Sequence, residues 1–351
     1  MPEPSPAASQ SGAFDFDSLL APGPSASASS ANAPVVDAPG NAASAGSASI
    51  GSGTSTPAVA QEAQPGWHDF TASWSLYRDP IACGTAAGAV LGVLGVFVVL
   101  RRAVFVTAAV SQSAALGVAL AFLIGIYAGF TPPPVLCAFL LALGSTSVLA
   151  WRSRSTALPR EAIVGLLYVA ASALAVLVGD RIAQEAEDIT AILFGTAVLV
   201  RPEDLLAVLS VSGLVLVTIA ALYRGLVFAG FDAEGARVHG LPVGKLDLAL
   251  WVLVALEVSV TTRAIGALPV FAFSVLPAMA ALLLVERLSH VVFLAGLLGA
   301  LSGGLGYLAA FLLRFPVGAA EACVAALFFL LASLTARLQK ARSLKNHAHL
   351  G

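Results

Sequence analysis

Charged residues are scarce in this sequence. Lysine, arginine, aspartate and glutamate make up 11% of its 351 residues, whereas roughly a quarter of the residues in a soluble domain are charged. Hydrophobic residues account for 58%, and the mean hydropathy is +0.90. Because so few charges cannot cover a water-facing surface, most of the surface must face another medium, and lipid is the simplest candidate.

Sequence motifs of catalytic and nucleotide-binding sites are absent as well. There is no GxSxG, HExxH or CxxC pattern, and Cys83, Cys137 and Cys323 lie far apart in apolar stretches, as small buried side chains do. The string at 240–246 is one residue too short for a Walker A loop, and leucine stands where that loop needs serine or threonine. We therefore expect no enzymatic activity and no cofactor, and the lack of a basic patch argues against a nucleic-acid partner.

Residues 1–75 differ in composition from the rest of the chain. They are mostly alanine, serine, glycine and proline, and no lysine or arginine precedes Arg78. Such a segment carries too little bulky apolar surface to offset the entropy of ordering the chain, so we predict a disordered extension. A secretory signal peptide is not expected, because no positive charge followed by an apolar run opens the sequence.

Long apolar stretches separated by short polar breaks begin near residue 80. Each is long enough for the ~20 helical residues that cross a bilayer core of ~30 Å, and isolated strands would leave backbone groups unpaired in lipid. The sequence predicts an all-α polytopic membrane protein with about nine transmembrane helices, eight being the alternative. The stretch at 189–200 is too short to cross and is predicted to be re-entrant or interfacial. The nine predicted spans are 80–100, 104–129, 134–151, 162–180, 204–223, 246–262, 265–285, 291–313 and 318–336.

Positive charge divides unevenly between the two sides of this predicted bundle. With an external N-terminus and nine alternating spans, thirteen lysines and arginines lie on the cytoplasmic side and five on the other, which accounts for all 18. This bias follows the positive-inside rule. The predicted organisation is then a disordered region at 1–75, a transmembrane domain at 76–337 and a basic cytoplasmic tail at 338–351.

Polar side chains within the predicted spans are candidates for a transport path, because placing them in lipid is costly. Ser111, Gln112 and Ser113 lie in the second span, and Glu257, followed by Thr261, lies about halfway along the sixth. Hydrogen bonding between helices is the alternative role for the first group, and a protonated structural carboxyl is the alternative for Glu257. Glu257 is the one clear mid-span carboxylate in this interpretation and the predicted site of any electrostatic step.

The longest polar break in the membrane region is FDAEGARVHGLPV at 231–243. Asp232 is predicted to cap a short helix and Glu234 suits its first turn. Gly240, followed by Pro242, is predicted to end the helix. Such a helix on the cytoplasmic face is a natural docking element for a soluble partner, although a surface helix without a partner would show the same pattern.

Five segments share their pattern and spacing with a known family. They are GAVLGVLGVFVVLRRAVFV (88–106), SQSAALGVALAFLIG (111–125), FDAEGARVHGLPV (231–243), RAIGALPVFAFSVLPAMAALLL (263–284) and LLGALSGGLGYLAAFLLRFPVGAAE (297–321). Together, over about 76–337, they resemble the ABC-3 family of permeases, the membrane subunits of bacterial zinc, manganese and iron importers. Any one segment alone would be a weak match, whereas their common order is specific.

The resemblance implies a permease that pairs with a second copy of itself in the lipid bilayer of the bacterial inner membrane. It also implies a separate cytoplasmic ATPase, docked through the 231–243 loop, and an extracytoplasmic solute-binding protein that delivers metal. The positions that this match assigns to ATPase coupling are Asp232, Glu234, Ala236, Arg237, Gly240 and Pro242.

One departure from the family pattern concerns the second span. The family's GDxxSHA motif places an aspartate and a histidine one helical turn apart, on one face suited to a divalent cation. Ala108 and Gln112 occupy those positions here, and neither supplies a charged or imidazole ligand. The expected substrate is a divalent metal such as zinc, manganese or iron, or a chelate of one, handled without that pair.

Two other functions are kept as alternatives. A secondary transporter usually shows two similar halves with broken helices and several buried carboxylates, which this sequence does not. A non-transporting membrane scaffold would have helices that enclose no polar path.

Overall fold

The computed structural model describes residues 74–152, 159–182 and 200–348. Within these ranges the chain forms ten helices and no strand. The predicted disordered extension at 1–75 and re-entrant stretch at 189–200 lie outside the described residues, except for Val200 and for Trp74 and Ser75, which belong to the first helix. The helices are α1 (Trp74–Leu100), α2 (Val104–Ala128), α3 (Pro134–Arg152), α4 (Arg160–Arg181), α5 (Pro202–Phe231), α6 (Ala233–Val238), α7 (Val243–Ile265), α8 (Ala267–Leu284), α9 (Leu288–Leu313) and α10 (Val317–Ala348).

The predicted transmembrane helices are present at their predicted places. Nine long helices match the nine spans, and in the described ranges eight of them are long and apolar enough to cross a membrane. The exception is α3, whose apolar part, Pro134–Leu149, is shorter. The all-α polytopic class is confirmed, and α10 continues to Ala348, through most of the segment predicted as a basic tail.

Two short connections have backbone conformations that L side chains rarely adopt. Gly266 alone separates α7 from α8 and has a φ of 96°, which glycine tolerates because it has no Cβ. Arg102, in the turn between α1 and α2, has a φ of 53° although it is not glycine. Because both connections are short, they hold the adjoining helix ends close together.

α1 is the central helix, and it packs most extensively against α9. Gly88 and Gly299 face each other so closely that a Cβ on Gly88 would lie 2.2 Å from the Gly299 carbonyl oxygen. A similar approach occurs between Gly84 and Gly303. Small residues let helix backbones come together in lipid, where packing rather than the hydrophobic effect holds helices in contact.

The other helices form three groups, of which the α2 group contacts α7 much more than α1. α2 packs on α3 and α4, α8 packs on α1, α9 and α10, and α5 pairs with α7 beside α1. α1 and α7 are largely buried, whereas α4, α5 and α10 expose apolar side chains along most of their length. Helices with such exposed apolar faces are suited to contact lipid, and the arrangement leaves a space between α2, α4 and α8.

Candidate functional site

A cavity of about 850 Å³ lies between α2, α4 and the start of α8, beside the turn that joins α1 to α2. Most of its wall is apolar, and Phe105 and Phe271 contribute aromatic rings. The polar side chains among the described lining residues are Arg102, Ser111, Gln112, Glu161 and Tyr168. Polar groups within a membrane bundle usually face a partner helix or a cavity on a substrate pathway, so this cavity is the candidate path.

Gln112 presents an unused hydrogen-bond acceptor at the cavity. Its Oε1 is buried and has no hydrogen-bond partner among the described residues. The Ser111 hydroxyl donates to the Ala108 carbonyl, 2.9 Å away, so the hydroxyl oxygen can still accept a bond. Ala108 also lines the cavity. The structure therefore brings two predicted path residues, Ser111 and Gln112, to one wall with acceptor oxygens.

Glu161 brings a carboxylate to the same cavity. It lies in the first turn of α4, and it is the only carboxylate among the described residues that line the space. Glu161 was not among the predicted path residues, which were chosen for their depth within a span. Glu161 immediately precedes the predicted fourth span at 162–180, so depth alone gave no signal.

Ser113 lies at the contact between α2 and α3 and not on the cavity wall. The Ser145 hydroxyl of α3 donates to Ser113 Oγ at 2.5 Å, and Ser113 donates to the Ala109 carbonyl at 2.8 Å. Residues two apart on a helix differ by about 200° around its axis, so Ser111 and Ser113 meet different neighbours. The part of Ser113 in a path stays a prediction.

Glu257 is fully buried at the contact between α5 and α7. Ser212 of α5 donates to Glu257 Oε1 at 2.7 Å, and Thr261 donates to the Glu257 carbonyl oxygen at 2.7 Å. Neither Glu257 nor Thr261 is among the residues that line the cavity. The structure does not bring them together with Gln112, and their role in the path stays a prediction.

Glu321, in the first turns of α10, is a second buried carboxylate. The residue is 1% exposed, and its Oε2 has no partner among the described residues. A Cβ on Gly84 would lie 2.7 Å from Glu321 Oε1, and one on Gly306 would lie 2.4 Å from Glu321 Cα, so the two glycines make room for this residue. Glu321 was not predicted as a buried carboxylate, because it lies near the start of its span and packing, more than depth, buries it.

The short helix α6 begins as the sequence predicts. Asp232 is its N-cap, and its Oδ1 accepts a hydrogen bond from the Gly235 amide at 2.8 Å. Glu234 lies in the first turn. Gly240 follows the helix with a φ of 78°, a conformation that suits glycine at a helix end.

α6 has one buried face and one exposed face. Ala236 is fully buried, and its carbonyl accepts a bond from the Leu241 amide at 3.0 Å, which ties the helix to the segment that leads into α7. The other residues predicted to contact an ATPase are on the surface, since Glu234, Arg237, Gly240 and Pro242 are all exposed. Their contact with an ATPase stays a prediction.

A bundle of apolar helices with a partly polar cavity between three of them, and with a short exposed helix between two of the spans, is an architecture suited to membrane transport. Residues 74–336 match the sequence model of the ABC 3 transport family. Because this match covers most of the chain, the protein belongs to the ABC 3 transport family.

Individual relatives agree with this assignment. The chain is 30% identical over 266 residues to the manganese import system permease protein ScaB of Streptococcus parasanguinis, covering 75% of this chain and 91% of that protein. It is 28% identical over 264 residues to the manganese transport system membrane protein MntC of Halalkalibacterium halodurans, covering 75% and 88%.

Two solved structures share the fold. The structure described as PsaBC from Streptococcus pneumoniae in complex with Fab superposes with a TM-score of 0.68 at 23% identity, over 76% of this chain and 94% of that one. An inward-facing conformation of a metal-chelate type ABC transporter gives 0.62 at 20% identity, over 76% and 88%. At these identities the likeness concerns the fold.

Proposed function

We propose that this protein is the membrane-spanning permease subunit of an ATP-driven importer for a divalent metal ion. Membership of the family and the manganese transport named in two relatives support the general function. The observation that carries metal passage is the cavity wall, where Gln112 Oε1 has no partner and Glu161 adds a carboxylate. Acceptor oxygens of this kind can replace part of the hydration shell of a cation.

The lining favours a hard cation over zinc. Gln112, Ser111 and Glu161 offer only oxygen atoms, and no histidine or cysteine is among the described residues that line the cavity. Carboxylate and carbonyl oxygens suit manganese, whereas zinc sites rely mostly on histidine and cysteine. We therefore place manganese ahead of iron and zinc as the substrate.

A chelated metal is the second candidate substrate, and the size of the cavity favours it. A volume of about 850 Å³ with a mostly apolar wall is in the range of pockets that enclose small organic ligands. Arg102 at the same wall would suit an anionic chelating group.

ATP hydrolysis belongs to a separate cytoplasmic subunit in this proposal. α6 is the docking element, because Glu234 and Arg237 are exposed on it while Ala236 anchors it to the bundle. A second copy of the permease and an external solute-binding protein complete the importer. The assembly lies in a bacterial inner membrane, with the N-terminus of this chain outside.

The test is uptake of labelled metals by the complete importer in liposomes. We expect ATP-dependent manganese uptake that exceeds zinc uptake. Gln112→Ala and Glu161→Gln should each lower it at least about tenfold, the scale of one lost charge-assisted contact. Glu203→Gln is the matched control, because Glu203 is likewise an exposed glutamate in the first turn of a span, α5, and does not line the cavity.

The outcomes separate the alternatives. Manganese uptake that ignores both cavity substitutions but falls in Glu257→Gln would move the path to the contact between α5 and α7. Zinc uptake raised by Ala108→Asp with Gln112→His would support a route past those two positions. Uptake of chelated metal but not of the free ion would identify the chelate as the substrate. Uptake driven by an ion gradient without ATP would indicate a secondary transporter. A complete absence of uptake would indicate a scaffold.

A further inference from the structure

The ends of three helices meet at the side chain of Arg101, directly after α1. Its Nε donates to Asp247 Oδ1, in the first turns of α7, 3.0 Å away, and its Nη1 donates to the Phe97 carbonyl of α1 at 3.4 Å. A Cβ on Gly230, in the last turn of α5, would lie 3.6 Å from the same Nη1. The Arg101 side chain is only 10% exposed, so its charge is held among these helix ends.

The guanidinium of Arg101 has a hydrogen-bonding position that is not used. Nη2 is buried and has no partner among the described residues. Nε and Nη2 lie on one edge of the planar group, where a carboxylate can accept two parallel bonds. Asp247 occupies only the Nε half of that edge and is 42% exposed. A small shift of α7 along Arg101 would convert one bond into two without breaking the pair.

Arg101 lies between the chain segments that flank α6 and the residue that lines the cavity. In the chain, α6 lies between Gly230 and Asp247, the two residues that flank the guanidinium. On the other side, the next residue, Arg102, lines the cavity. A displacement of α6 can therefore reach the cavity wall through the Arg101–Asp247 pair and the short turn between α1 and α2.

We propose that Arg101 is a positioning residue that couples α6 to the cavity, pairing with Asp247 through one hydrogen bond in this conformation and through two when α6 moves. The proposal rests on the proposed function, because it needs an ATPase that moves α6. This role of Arg101 differs in one respect from that of a fixed ion pair that only holds α1 and α7 together. Removing the second bond alone should uncouple ATP hydrolysis from transport and leave the assembled protein intact.

Conservative substitutions can remove the second hydrogen bond between Arg101 and Asp247 while keeping the first. Asp247→Asn keeps an oxygen that can accept from Nε, but its amide nitrogen cannot accept the second bond. Arg101→Lys keeps the charge and replaces the fork by a point charge. The matched control is Asp204→Asn, because Asp204 pairs with Arg263 through the same atoms at the same 3.0 Å, at the opposite ends of α5 and α7.

The measurement is the number of manganese ions imported per ATP hydrolysed by the complete importer in liposomes, together with the ATPase rate and the amount of assembled complex. Asp247→Asn and Arg101→Lys should lower this ratio about tenfold, which corresponds to about 1.4 kcal/mol, with the ATPase rate and assembly within about twofold of the parental protein. Asp204→Asn should leave the ratio unchanged.

An unchanged ratio in Asp247→Asn overturns the proposal and leaves the proposed function intact. An equal fall in Asp204→Asn also overturns it, because loss of either pair would then loosen the bundle in general. If Arg101→Lys does not assemble, the isosteric Asp247→Asn decides. A parental complex without ATP-dependent manganese uptake overturns the proposed function and this inference with it.

Discussion

Replacing Gly88 with alanine should destabilise the bundle, because α1 and α9 are in backbone contact there. A Cβ on Gly88 would lie 2.2 Å from the Gly299 carbonyl oxygen and 2.8 Å from its carbon, well inside the roughly 3.3 Å of a close carbon–oxygen contact. Both atoms belong to the backbone of α9, so no side chain can rotate away. The two helices must separate by roughly 1 Å to admit the methyl group.

The size of the effect follows from two opposing contributions. Overpacking a close contact costs about 1–3 kcal/mol, whereas alanine in place of glycine within a helix stabilises by about 0.5–1 kcal/mol. Because the clashing atoms are backbone and cannot rotate away, the overpacking cost lies in the upper part of its range, about 2–3 kcal/mol, and the net loss is about 1–2.5 kcal/mol. For a domain of this size the melting temperature should fall by roughly 2–10 °C.

The assay is the thermal unfolding of the purified protein in detergent, with Gly213→Ala as the control. Gly213 lies within α5, and a Cβ there would meet nothing within 4 Å, so only the helix propensity changes. We expect an unchanged or slightly higher melting temperature for Gly213→Ala and a lower one for Gly88→Ala. Equal melting temperatures for the two variants would refute the close helix contact.

Three further predictions concern other parts of the protein. Ser212→Ala removes the hydrogen bond to the buried Glu257 and should cost about 1–3 kcal/mol of unfolding free energy. Ser210→Ala, on the exposed face of the same helix, should cost much less, and equal losses would contradict the contact. Asp232→Ala removes the cap of α6, worth about 1 kcal/mol locally. It should lower uptake without changing the melting temperature of the bundle, so a lower melting temperature would be the contrary result. A cysteine in place of Gly40 should react with a membrane-impermeant reagent in cells with a permeable outer and an intact inner membrane, and protection there would reverse the topology.

The helices were predictable because length and apolar composition suffice for them. The predicted second span at 104–129 and the observed α2, Val104–Ala128, agree within a residue, since any shorter apolar segment would leave backbone groups exposed to lipid. The start of α6 was predictable for a local reason. Asp232 supplies its own capping oxygen three residues ahead of the Gly235 amide, so the signal lies within one turn.

The neighbours of each polar side chain were not predictable in the same way. Ser111, Gln112 and Ser113 are consecutive, yet the first two line the cavity and the third bonds to Ser145 of α3. Helical periodicity shows that they face different directions. It does not show which helix lies in each direction, because that depends on packing between segments far apart in the sequence.

The carboxylates show why depth within a span is a poor guide to function. Glu257 is about halfway along its span, yet its Oε1 accepts a bond from Ser212 and the residue is enclosed between two helices. Glu161 is at the very start of α4, yet it lines the cavity. The cost of a charge in a membrane protein depends on access to water and to partners as well as on its depth. A carboxylate on a cavity wall can exchange partners with a passing cation, whereas Glu257, although its Oε2 has no partner among the described residues, is fully buried and does not line the cavity. Access to the cavity, more than depth, therefore makes Glu161 the stronger candidate for the electrostatic step that the sequence had placed on Glu257.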